Sequence, residues 1–430
     1  MKKTYIDTAM ERIAPDLILK GGNVVDVFSG RVIKADVIIK DGIICGVGSY
    51  SGENEQDVSG KYIMPGFIDS HVHIESSMTQ PSEYAKAVMP HGITTVIADP
   101  HEITNVCGED GLEFMLKSAK NIPLDVNLML PSCVPATPFE HTGANLDAKT
   151  TQKLAPKFFG IGEMMNYPGI VSGDDETLGK LCLDIIDGHA PLLSGHELDA
   201  YASAGIKTDH ECSVVEEMTE KISKGMYILL REGTLSLDVA KLIKGVTPYT
   251  LRRCAFCTDD RFVGEIIRDG SIDHCIRKAV SLGLNNIDAI IMATLNACEM
   301  YGMKNKGAIA PSYVADIVVA DDLNLSSISQ VYKNGKLVCE NGKALFECET
   351  VDNSKVTNTV HLPKISADFF KTDVKDKFDA IELIPESIIT KKVTVSYSDS
   401  LSKVCVIERH HNFCLLYTSP SPRDRQKARM

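Results

Sequence analysis

From Phe67 onward the chain repeats one pattern, in which a short apolar run ends in polar residues and a helical stretch follows. The runs read GFIDSHVH, GITTVIADP, LDVNLMLPS, FFGIGEMMN, LDIIDGHAP, AGIKTDHE, GMYILLREG and RCAFCTDD, eight in order. Strands separated by helices cannot pair as tight hairpins; each helix is a crossover that lays the next strand parallel to the last. Eight such units close a (β/α)8 barrel, so residues 65–304 are expected to form a TIM-like α/β barrel.

The rhythm differs on either side. Between Asp16 and Met64 short β-type runs (LILKGGNVVDVF, DVIIKDGIICGVG, KYIMPGFID) are broken by turn signals at Gly22-Asn23, Asp41-Gly42 and Ser59-Gly60. Near Gly307 short strands return in GAIAPSYVADIVVA and ISQVYKNGKLVCENGK, with an Asn334-Gly335 turn. Residues 1–64 and 305–345 are therefore expected to build one small β-sandwich domain from both flanks of the barrel. Residues 346–414 are polar, with modest strands such as ITKKVTVSYS, and read as the start of a C-terminal α+β domain. Residues 415–430, LLYTSPSPRDRQKARM, are rich in Pro, Ser and Arg, unlike the acidic chain before them, and are expected to be a non-native, adapter-like tail that cuts that domain short.

Composition removes several classes of function. Lys and Arg number 45 against 58 Asp and Glu, a net charge of −13, so neither nucleic acid nor an anionic membrane is an expected partner. No stretch reaches the roughly 18 apolar residues of a spanning helix, and the start MKKTYIDTAMERIAPD lacks the apolar segment of a secretion signal. A cytoplasmic location is expected. Thirteen cysteines without framework spacing read as reduced thiols, mostly small core residues.

The chemistry is expected at the strand ends, where such barrels place their active sites. His71 and His73 close the first run, and side chains two apart on a strand point the same way, so both imidazoles can reach one metal. The same two residues read plainly as surface histidines at a strand end. Glu163 in GIGEM, His189 in DGHAP, His210 in TDHE and Asp259 in CTDD end later runs. Each alone is more often a satisfied polar residue or a helix cap; together they lie where such barrels place their active sites and read as a ligand set. Imidazoles and carboxylates without thiolates suit a hydrolytic site holding divalent Zn, Fe or Mn, with Glu163 the candidate bridge between two ions. In DPHE, Asp99, His101 and Glu102 follow the second strand as candidate ligands or orienting groups, or as a capping turn. Arg231 and Glu232 end the seventh strand and are candidates to meet a substrate, as is Ser132 in the two-proline loop Ser132 to Thr142.

With these residues in view, the chain resembles the amidohydrolase superfamily and, within it, the adenine deaminases. The resemblance spans about residues 15 to 345 and rests on PGFIDSHVHIESSM, TTVIADPHEI, LPSCVPATPFEHTGA, FFGIGEMMN, IDGHAP, AGIKTDHE, LREGT, CTDDR and GAIAPSYVADIVV. It implies that His71 and His73 hold a first metal, that Glu163 bridges where many relatives use a carboxylated lysine, that His189 and His210 hold a second, and that Asp259 completes the cluster. GIGEMMN contains no lysine, which sets the chain apart from the dihydroorotase and hydantoinase branches. The implied reaction is hydrolysis of adenine to hypoxanthine and ammonia in purine salvage, with two divalent ions (Mn or Fe, or Zn), a bridging hydroxide, Asp259 as proton carrier and Glu232 as a candidate donor to the ring. A homodimer is implied as well. His196 in SGHELDAY departs from the lysine expected there.

Rival readings find less support. A second class of zinc deaminase pairs HxE with PCxxC; here His73-Ile74-Glu75 and Cys254-Ala255-Phe256-Cys257 occur, but Arg253 stands in place of the proline and the cysteines sit inside an apolar run. Neither a GxSxG elbow nor a phosphate-binding loop is present. Another amidohydrolase acting on a cyclic amide, or a scaffold that kept the barrel and lost the metals, are the alternatives; the latter predicts degenerate ligand positions, and all six are ligand-capable.

Overall fold

The computed structural model describes residues 1–137, 139–362, 364, 366, 368, 377–385, 390–396, 398, 401–402, 405–410 and 416–418. After a helix at Lys2–Ala9 come β1 (Leu17–Asp26), β2 (Arg31–Lys40), β3 (Ile43–Gly48), β4 (Glu55–Asp57) and β5 (Tyr62–Pro65). The eight runs follow as β6 (Phe67–Val72), β7 (Ile93–Ala98), β8 (Asp125–Leu130), β9 (Gly160–Met164), β10 (Ile186–Gly188), β11 (Thr208–Asp209), β12 (Tyr227–Arg231) and β13 (Cys254–Cys257). Then come β14 (Ile317–Ala320), β15 (Ile328–Lys333), β16 (Lys336–Glu340) and β17 (Lys343–Ala344).

β6 to β10 pair in parallel in chain order, and so do β11 to β13. Two seams close the barrel. Lys207 N–H donates to the Ile186 carbonyl at 3.4 Å, and Asp259 N–H donates to the His71 carbonyl at 3.0 Å beside a parallel bridge between Val72 and Asp259. A TIM-like parallel barrel with an added sheet is thus the architecture of the chain.

Both flanks of the barrel join one nine-stranded sheet, in the order β17-β16-β15-β14-β5-β1-β2-β3 with β4 beside β1. Alternation along β14 explains its two buried faces. Ile317 and Val319 pack with Leu19, Val37 and Ile63, whereas Val318 and Ala320 join Met64, Phe67 and Ile93 against the barrel. The Asn334-Gly335 turn that links β15 to β16 takes positive φ at both residues (49° and 73°), the conformation a two-residue hairpin requires.

A buried ionic joint fastens sheet to barrel at the N-terminal ends of the strands. Asp316 accepts from Lys306 at 2.7 Å and from Lys333 at 2.8 Å, and Lys333 reaches Asp125 at the start of β8 at 2.8 Å. Beyond the sheet, Phe378–Leu383 pairs antiparallel with Thr390–Val395, and Cys405–Ile407 with Leu416–Thr418. Apart from residues 416–418, the tail expected to be non-native lies outside the described residues. Among the described residues no helix is long and apolar enough to cross a membrane. Cys45, Cys133, Cys212, Cys254 and Cys257 are buried free thiols.

Candidate metal centre

Strand alternation aims His71 and His73 the same way at the end of β6, with their Nε2 atoms 3.1 Å apart. His73 Nδ1 donates to the Asp99 carbonyl at 2.7 Å, because a carbonyl can only accept. That bond fixes the tautomer and leaves the Nε2 lone pair facing inward. His71 Nδ1 lies 3.7 Å from Asp187 Oδ2, and Asp187 is itself held by Tyr301 OH at 3.0 Å and Thr208 Oγ1 at 2.8 Å. Two inward lone pairs at this separation would repel each other, and a proton or a cation between them relieves that repulsion. Asp259 Oδ1 completes the group, 3.1 Å from His73 Nε2 and 3.6 Å from His71 Nε2.

Glu163, on β9, faces both halves of the site with one oxygen each. Its Oε1 lies 3.4 Å from His73 Nε2 and 3.2 Å from His101 Nδ1; its Oε2 lies 2.6 Å from His189 Nδ1 and 3.2 Å from His210 Nε2. The backbone under Glu163 is fastened by the second and third barrel strands. Its N–H donates to Asp99 Oδ2 at 2.8 Å, and its carbonyl accepts from Ser132 Oγ at 2.6 Å. Glycine at 162 is a steric requirement of this arrangement, since a Cβ there would stand 2.1 Å from Asp99 Oδ2.

The electrostatics of the pocket favour positive charge. Burial pushes the Glu163 carboxyl up, but His189, His101 and His210 outweigh it and hold it well below the usual carboxylate range. Burial likewise opposes charge on His73, yet Glu102, Asp259 and Glu163 raise it well above an ordinary imidazole. For Asp259, burial is again outweighed by His73, His210 and Arg231, and the carboxyl is held far below its ordinary value. Three donor sets each have their atoms within 4.8 Å of one another: His71–His73–Glu163, His71–His210–Asp259 and Glu163–His189–His210. This chemistry fits divalent cations shared through Glu163.

The remaining candidates divide. His101 touches Glu163 and lies 3.5 Å from Glu102, so both stand at the edge of the cluster, while Asp99 and Ser132 support it from behind. Arg231 is buried and spent on carboxylates: Asp259 at 3.0 Å, Asp238 at 3.1 Å and Glu211 closer still. It holds Asp259 and Glu211 rather than offering free donors to a substrate. Glu232 is not among the gathered residues; its carboxylate pairs with Lys278 of helix Ile272–Ser281, and Arg261 donates to its carbonyl. His196 is fully exposed on the surface. Sequence reasoning passed over Glu211, whose Oε1 lies 3.4 Å from His210 and 3.7 Å from His189, and Asp187, which backs His71. Glu211 was visible as an extra carboxylate in TDHE; the strand parity that aims it is not readable from two residues of strand.

Residues 62–338 match the amidohydrolase family. Adenine deaminase 2 of Desulfotalea psychrophila is 45% identical over 430 residues, covering 95% of this chain and 75% of that protein. The adenine deaminase of Clostridium acetobutylicum is 47% identical over 425 residues, covering 94% and 75%. Among solved structures, enamidase, described as a member of the amidohydrolase superfamily, aligns with a TM-score of 0.58 at 18% identity over 77% of this chain and 97% of that one. A beta-aspartyl dipeptidase from Fervidobacterium islandicum AW-1 aligns at 0.56 and 20% over 78% and 99%. These two show a shared fold and no more. Because the family match takes in every strand of the barrel and relatives of one named activity run along nearly the whole chain, the protein belongs to the amidohydrolase family, in the group of its adenine deaminases.

Proposed function

We propose that the chain hydrolyses adenine to hypoxanthine and ammonia at a pair of divalent metal ions, Mn or Fe by preference with Zn as a further candidate. The substrate follows from relatives that carry this activity in their names at 42 to 47% identity. The metal pair rests on one observation above the others: Glu163 turns one carboxylate oxygen to His73 and the other to His189 and His210. His71, His73 and Asp259 would hold one ion and His189 and His210 the other, with Glu163 shared. Bound there, divalent cations supply Lewis acidity that brings the pKa of water near neutrality.

The side chains do the rest. Water oxygen bonds to C6 of the purine and the bond from C6 to the exocyclic nitrogen breaks. Asp259, ionised and held by Arg231 at 3.0 Å, accepts a proton from that water and delivers it to the departing amino group, which leaves as ammonia. The second proton of the water ends on the ring. Glu232, paired with Lys278, is poorly aimed to supply it. Ser132 and the loop after β8 stand beside the centre as candidates to cover a flat base. We place the enzyme in the cytoplasm as a homodimer, the first because its described cysteines are unpaired and the second because the family resemblance implies it.

The test is ammonia release from adenine, set against a panel of cyclic amides, with metal content measured on protein purified without chelator. Turnover of adenine alone by protein holding about two ions is expected. Turnover of a cyclic amide but not adenine moves the enzyme to another amidohydrolase activity, and less than one tightly held ion per chain favours a scaffold.

A further inference from the structure

Between the loops that carry His189 and His210, a single ammonium group is tied to both. Lys221, on helix Val215–Ser223, is fully buried. Its Nζ donates to the Ala190 carbonyl at 2.6 Å, to Asp209 Oδ2 at 2.9 Å and to Glu217 Oε1 at 2.7 Å. Ala190 directly follows His189, and Asp209 directly precedes His210. The same two carboxylates hold the backbone of both loops. Asp209 accepts from Ala190 N–H at 2.8 Å and from Glu211 N–H at 3.2 Å; Glu217 accepts from Leu192 N–H at 2.7 Å and from Ser213 N–H at 3.4 Å. The chain just after His189 and the chain on either side of His210 therefore hang from a pair of carboxylates that Lys221 neutralises. A buried ion triad is a poor way to add stability, since desolvation offsets most of the attraction. What this one does well is fix two loops against each other, and the imidazoles of those loops must meet one ion with correct angles.

We propose that Lys221 is the positioning residue for the half of the metal centre formed by His189 and His210, and that it sets that half's affinity for its ion. The inference rests on the two-ion reading of the centre given above. Groups that orient metal ligands from behind change metal affinity by about 10 to 100-fold when removed.

The experiment loads the wild-type chain, Lys221→Met and Lys306→Met with Mn2+, and follows stoichiometry by metal analysis and pairing by electron paramagnetic resonance. Lys306 is a second ion-paired lysine, at the other end of the barrel. Wild type and Lys306→Met should show the spin-coupled pair at stoichiometric metal. Lys221→Met should show isolated Mn2+ there and recover the pair only in excess metal, with affinity for one ion weaker by about 10 to 100-fold. Activity should return with the pair, at an unchanged KM for adenine. Where Lys221→Met does not fold, Glu217→Gln, which leaves Lys221 on Asp209, must weaken the same ion. Full pairing at stoichiometric metal in Lys221→Met, or in Glu217→Gln in its place, overturns the proposal. Equal loss in Lys306→Met also overturns it, because general destabilisation then accounts for the effect. A wild-type chain that never holds two ions sinks the reading of the centre itself, and is distinguished by being measured first.

Discussion

Asp259 faces two directions at once: Oδ1 toward the imidazoles of His71 and His73, Oδ2 toward the guanidinium of Arg231. It also sits at φ 56°, in the left-handed region that aspartate tolerates better than most residues. Asp259→Asn keeps the shape and loses the ability to take a proton, so kcat should fall by about 10²- to 10⁴-fold with KM for adenine nearly unchanged; a variant within threefold of wild type would remove Asp259 from the proton path. Glu232→Gln should keep kcat within about tenfold, because its partner is Lys278 and not the substrate, and a loss as deep as that of Asp259→Asn would restore the ring-donor role expected from sequence. The contrast shows what was legible at this scale. His71, His73, Glu163, His189, His210 and Asp259 were readable because each ends an apolar run. Glu232 was misdirected by parity: neighbours on a strand point to opposite sides, so with Arg231 aimed at the site, Glu232 follows Leu230 toward the helix layer. Lys221 was unreadable, since nothing in EKIS distinguishes a buried lysine from a solvated one.

The strands were legible as elements even where they are very short. β11 is only Thr208–Asp209, yet TDHE marked it because the polar ending survives when the apolar run shrinks. The joint between the sheet and the barrel was not legible, because Lys306, Asp316, Lys333 and Asp125 meet only once both flanks have folded together. Burial pushes the Asp316 carboxyl up, but Lys306 and Lys333 outweigh it and hold it below its ordinary value of 3.8. A carboxyl depressed by folding adds stability that is complete above the unfolded value and lost as pH falls through the folded one. The joint should therefore weaken below about pH 4 and be insensitive from there to neutrality. Asp316→Asn leaves two lysine ammonium groups short of a partner in a buried place and should cost about 3 to 5 kcal/mol in urea unfolding at pH 7. Its stability should also fall less steeply than wild type between pH 5 and 3, and parallel acid limbs in the two proteins would show that Asp316 is not the group responsible.

At the scale of the whole molecule, the proposed ligand set stands at the C-terminal ends of β6, β9, β10, β11 and β13, so the full set of donors comes together only in a closed barrel. An unfolded chain offers at most the adjacent pair His71 and His73, and metal should bind the native state far more tightly than the unfolded one. Binding that favours the folded state stabilises it by RT ln(1 + [L]/Kd), about 2.7 kcal/mol for each ion at a free concentration of 100 Kd. For a barrel and sheet of this size a kilocalorie moves Tm by roughly 1 to 2 °C, so stripping one ion should lower Tm by about 3 to 5 °C and stripping both by more. The loss has a second source: without cations the carboxylates of Glu163 and Asp259 remain buried among imidazoles that must carry protons to balance them. The measurement is a thermal melt in chelator and after return of Mn2+, followed at a backbone signal and in activity. Tm should rise with free metal along the logarithmic curve, and activity should return over the same range. A Tm independent of metal while activity depends on it would mean that the barrel closes equally well around an empty centre, and that the cluster of charges is held together by the protein alone.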